Sequence, residues 1–166
     1  MRVILISVAG LLLLSPAAAQ AQYKTIELKI LGMDCAICAH GVKVAVQKVQ
    51  GVESVQLSLE RAEADIRLKP ENQVSLDHFR RIVKGNGFEP REAKVSASGV
   101  VRNAGGKLTF EVPGTAVPLA ISSDGSAPAA YKQLESSAAR GTPVEITGTV
   151  EPLPDGRDAL KVVSVK

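Results

Sequence analysis

Apolar and polar residues alternate with period two along Thr25-Ile26-Glu27-Leu28-Lys29-Ile30, the spacing of a strand with one buried face. Past a short loop the period lengthens. Val42, Ala45, Val46 and Val49 recur at helical spacing, and Gly51 predicts the stop. Val55, Leu57 and Leu59 predict a second strand, Glu60-Arg61 a turn, and Ala64, Ile66 and Leu68 a third strand. Ser75 is a good N-cap for a second helix, and Val74 and Phe79 are placed to staple its entrance. Leu76, Phe79, Ile82 and Val83 predict its buried face, and Gly85-Asn86-Gly87 its end. Phe88 opens a short last strand, where Pro90 predicts an edge.

Strand-helix-strand-strand-helix-strand is the split βαβ, or ferredoxin-like, order of elements. From about Val95 the texture changes to short strands, carried by Leu108/Phe110/Val112, Val117/Leu119/Ile121, Val144/Ile146/Val150 and Leu160/Val162. Asn103-Ala104-Gly105-Gly106 and Pro154-Asp155-Gly156 read as turns, and residues 129–140 as a helix. Five strands with a helix between the third and fourth predict a small closed barrel of the OB type; the alternative is an irregular β-sandwich. The expected class is α+β, with a ferredoxin-like domain at 22–94 and an all-β, OB-like barrel at 95–166. No Pro/Ser linker separates them, so the two are expected to lie close together.

The first 21 residues fit neither pattern. Arg2 is followed by a mostly apolar run over 3–14, a Ser15-Pro16 break and the small-residue stretch Ala17-Ala18-Ala19-Gln20-Ala21. This is the layout of a secretory signal peptide, with cleavage expected after Ala21. The apolar run is shorter than the ~20 residues a membrane span needs, so no membrane insertion is expected after cleavage. Export to the periplasm would place the remaining chain where disulfides persist.

Charge excludes more than it assigns. The chain has 20 basic and 17 acidic residues, a net +3, without the clustered basic face that nucleic acid calls for. Aromatic residues make up 3% of it, too few for a base-stacking platform. Histidine occurs only at His40 and His78, and no phosphate-binding glycine loop is present. No Ser/His/Asp set can be assembled, and the chain is not expected to be an enzyme.

The chemistry concentrates at Gly32-Met33-Asp34-Cys35-Ala36-Ile37-Cys38, which holds the only two cysteines. Set between a strand and a helix, the pair meets the positive end of the helix dipole and its unpaired N–H groups. Cys38, opening the helix, is expected to have the more depressed pKa, and Cys35 the less. Two thiolates select soft ions, above all Cu(I), and also Zn(II), Cd(II) and Hg(II). Two sulfurs alone suit Cu(I) or Hg(II), whereas Zn(II) wants four ligands. A Cys-x-x-Cys pair at a helix start also serves disulfide exchange. The flanking Trp and Pro usual around thioredoxin-like pairs are missing here.

Gly32-Met33-x-Cys35-x-x-Cys38, then Val49-Gln50-Gly51-Val52 with Val55, and finally Gly87-Phe88 together resemble a heavy-metal-associated domain over about 26–91. That family includes copper chaperones, mercury-scavenging periplasmic proteins and the N-terminal extensions of metal-pumping P-type ATPases. The resemblance implies that Cys35 and Cys38 bind one soft metal ion and hand it on by exchange between dithiols. The acceptor it implies is a metal-transporting membrane protein or another acceptor domain. It further implies that Met33 packs inward and that Phe88 shields the site.

Asp34 departs from the Thr, Ser or His usual in copper-handling members. It resembles instead the domains of zinc-, cadmium- and lead-exporting ATPases, where its carboxylate can join the two sulfurs. An added hard oxygen ligand favours a divalent ion. The simpler reading is an exposed loop residue that caps the helix. His40 and His78 are expected to be solvated. The sequence therefore predicts a periplasmic metal carrier or sequesterer, with a thiol–disulfide oxidoreductase as the alternative. For the C-terminal half, which has balanced charge and no Cys, His or Met, it predicts partner docking or simple stabilisation.

Overall fold

A computed structural model describes residues 22–112 and 115–166. The signal peptide expected at 1–21 lies outside the described residues. Eleven elements follow in chain order. They are β1 (Gln22–Leu31), α1 (Ala36–Gln47), β2 (Val52–Ser58), β3 (Glu63–Leu68), α2 (Leu76–Gly85), β4 (Glu89–Ala104), β5 (Lys107–Glu111), β6 (Leu119–Ile121), α3 (Pro128–Arg140), β7 (Pro143–Pro152) and β8 (Asp158–Val165).

The first half is ferredoxin-like. Its strands lie in the order β2-β3-β1-β4, and each neighbouring pair is antiparallel. Alternation puts Ile26, Leu28 and Ile30 of β1 opposite Ile66 and Ala64 of β3 and Val95 and Ala93 of β4, all buried. Val42 and Val46 of α1 and Phe79 and Val83 of α2 join the same core. Ser75 caps α2 by accepting the His78 N–H at 3.3 Å. Leu59 departs from its expected place: β2 ends at Ser58, a register shift follows Val52, and Leu59 is exposed in the turn.

The last strand is where the observed chain differs most from the pattern. It is a single 16-residue strand, β4, and not a short one. Pro90 sits near its start, opposite Ile30, before the pairing with β7 begins at Ala93, where a missing N–H costs no ladder bond on that side. Position 94/95 lies inside this strand. Beyond it, β4-β5-β6-β8-β7 closes back on β4 as a five-stranded barrel, with β6–β8 the one parallel pairing. α3 falls between the third and fourth of these strands, as expected, and ends at Gly141 in the left-handed region (φ 64°). Among the described residues no helix is long and apolar enough to cross a membrane.

Candidate metal centre

The loop between β1 and α1 is set by two opposed features. Gly32 takes a φ of 82° that a side chain would resist, and the next residue, Met33, is turned inward and 2% exposed. Burying a methionine contributes about 1.5–3 kcal/mol, enough to pin the loop from below. Asp34, Cys35, Ala36, Ile37 and Cys38 are all exposed above it. A Cβ placed on Gly32 would lie 3.9 Å from the half-buried Phe88 ring, so Phe88 flanks the loop.

Cys35, and no conventional capping residue, is the N-cap of α1. Its Sγ accepts the Cys38 backbone N–H at 3.3 Å, and its carbonyl accepts the Ala39 N–H at 2.9 Å. Cys38 lies in the first turn and does not open the helix. This reverses the expected order of acidity. Hydrogen bonding from the Cys38 thiol, then from the Cys38 backbone N–H, holds the Cys35 thiol below its ordinary pKa. Cys38 is pushed up, first by donating to Cys35 and then by desolvation and the neighbouring negative sulfur. The helix N-terminus favours the cap sulfur because the available N–H, that of Cys38, points at Cys35 Sγ.

Both cysteines are free thiols on one exposed turn, so the fold brings together the two sulfurs that the sequence singled out. Among the described residues no group of three or more His, Cys, Asp or Glu converges on one point. Asp34 is exposed beside the pair without completing such a group. His40 and His78 are exposed as well. Chemically, the turn offers two soft sulfur donors and room for an incoming ligand.

Residues 27–89 match the sequence profile of the heavy-metal-associated domain. That segment is a heavy-metal-associated domain. A probable copper-exporting P-type ATPase of Archaeoglobus fulgidus is 32% identical over 72 residues, covering 42% of this chain and 9% of the relative. This chain thus matches only a small part of that ATPase's length. The yeast copper transporter domain Ccc2a shares 22% identity over 43% of this chain and 93% of its own, with a TM-score of 0.38. Oxidised MerP from Ralstonia metallidurans shares 26% identity over 41% of this chain and 93% of its own, with a TM-score of 0.37. Each match covers less than half of this chain. The domain carries its two cysteines inside the matched segment, at the entrance to α1.

The sequence left two features of the surroundings unread. Ile37, between the cysteines, is 86% exposed, an unusual position for isoleucine. Arg80 on α2 is buried and closes on Asp158 of β8 through Nη1, at 2.6 and 2.7 Å to the two carboxylate oxygens. Neither Arg80 nor Asp158 stands out in the local pattern, because the contact joins residues 78 apart in the chain.

Proposed function

We propose that this protein carries or sequesters one soft metal ion in the periplasm, holding it through Cys35 and Cys38 and passing it to a transporter or acceptor domain. The observation that carries this reading is the pair of free, exposed sulfurs on one helix turn within a heavy-metal-associated domain. Copper handling is supported by the similarity to the probable copper-exporting ATPase. With two sulfurs and no converging third ligand among the described residues, the donor set favours Cu(I) or Hg(II). Zn(II) or Cd(II) would draw further ligands from Asp34, water or a partner.

Transfer would proceed by ligand exchange. The Cys35 thiolate, being the more acidic sulfur, is the first to bind, and Cys38 loses its proton as the second bond forms. An acceptor thiolate then displaces one sulfur at a time, an exchange that exposure of both groups allows. In this reading the chain is a signal peptide at 1–21, the metal domain at 22–94 and an OB-type barrel at 95–166. Support for the OB type comes from the closed five-stranded order and the helix placed before the fourth strand.

Titration of the reduced protein with Cu(I) against a competing chelator tests the binding step. About one equivalent is expected, with loss of binding in Cys35→Ser and Cys38→Ser. Full binding by the double-serine variant would overturn the reading. The same thiol pair could instead exchange disulfides, since its Cys35 is the acidified member; turnover in a dithiol-driven reduction assay would favour that alternative.

A further inference from the structure

We infer that the barrel is a clamp on the metal domain, so that the two unfold as one cooperative unit and metal captured at the cysteine pair also stabilises the barrel. Residues 93–98 of β4 are paired on both sides at once. Ala93 lies between Leu28 and Val150, Val95 between Ile26 and Gly148, and Ala97 between Tyr23 and Ile146. In a lone ferredoxin-like domain this strand would present an open edge; here β7 covers it from Ala93 to Val100. The dependence runs both ways, because the barrel cannot close without the strand that completes the metal domain.

Side chains repeat what the backbone shows. One continuous apolar core contains Ile26, Ile66 and Phe79 from the metal domain and Ile146, Val150 and Leu160 from the barrel. The buried Arg80–Asp158 pair and the more exposed Lys24–Glu145 pair, at 2.5 Å, cross the junction. Cooperative units follow contiguous buried contacts and shared ladders, and here neither stops at the junction. A ligand that binds only the folded state stabilises the whole of the unit it belongs to. The barrel therefore gains stability from a metal ion it does not touch. This last step rests on the function proposed above; the shared unfolding does not.

Hydrogen exchange of the full chain, read by mass spectrometry in mild denaturant, tests both parts. Leu160→Ala, in the barrel core, should speed exchange in peptides of β3 and β8 by the same factor, at least roughly tenfold. Ile66→Ala, in the metal domain, should do the same in reverse. If Leu160→Ala leaves the chain unfolded, Val150→Ala serves as the milder probe. Faster exchange confined to the mutated half would overturn the inference. One equivalent of Cu(I) should slow exchange in β8 as much as in β3. Bound copper that protects β3 and leaves β8 unchanged would overturn the coupling alone. Failure to bind copper would overturn the Cu(I) reading of the site and leave the mutational result to decide the clamp.

Discussion

Arg80 and Asp158, 78 residues apart, form a largely buried ion pair across the junction of the two halves. Asp77 stands 3.7 Å from the same Nη1, while Nε and Nη2 of Arg80 have no partner among the described residues. Such a group is held in place by one strong contact. Asp158→Ala would strand a buried guanidinium and should cost about 3–5 kcal/mol. Replacing both residues, as in Arg80→Met with Asp158→Leu, should cost clearly less than either single change. Urea unfolding of the two singles and the double measures this, and additive losses would contradict it.

Tyr23 lies beside that pair, fully buried, with a hydroxyl that has no partner among the described residues. Burial, and after it the charge of Asp158, pushes its phenol well above the ordinary value near 10. Because the folded pKa is raised, the stability linked to this group is complete below about pH 10, the unfolded value. It is lost as pH rises from there toward the folded value. Tyr23→Phe should change stability at pH 7 by no more than about 1 kcal/mol. It should flatten the fall in stability between about pH 10 and 11.5. An unchanged slope in the variant would show that other groups govern alkaline unfolding.

Gly148 occurs where β7 and β8 shift register. A Cβ there would meet the Lys161 carbonyl oxygen at 2.5 Å and Leu160 Cδ1 at 3.0 Å. The first of these is backbone and cannot turn aside. Gly148→Ala should destabilise by about 1–3 kcal/mol or more through forced separation of the strands. Thermal unfolding checks it; a variant as stable as the parent would mean that the strands are not so close.

The two cysteines should differ in reactivity. Cys35, acidified by its bonds from Cys38, keeps thiolate at lower pH than an ordinary thiol and should be alkylated first. Cys38→Ala removes the thiol donor and should shift the onset of Cys35 alkylation to higher pH. Cys35→Ser should leave the helical content unchanged, since a serine hydroxyl can take over the cap at that position. Peptide mapping after brief alkylation between pH 6 and 9 reads the order. Preferential labelling of Cys38 would reverse the assignment.

Much of this was written in local spacing. Period-two and helical repeats gave β1, α1, β3 and α2, while Ser75 and Gly87 marked ends that the fold keeps. What could not be read locally was long-range pairing. Nothing around Val95 announces that it bonds to Ile26 on one side and Gly148 on the other, and Pro90 made the strand look shorter than it is. The Arg80–Asp158 contact is hidden for the same reason. At the site, the position of the sulfurs was legible and their order of acidity was not. That order depends on which cysteine accepts a single N–H, a matter of one residue in where the helix begins.

X-ray absorption at the copper edge of the reduced, Cu(I)-loaded protein tests the central claim most directly. A first shell of sulfur alone is expected, unchanged in Asp34→Ala and lost in the double-serine variant. A shell built of nitrogen and oxygen, or one that survives removal of both cysteines, would contradict it.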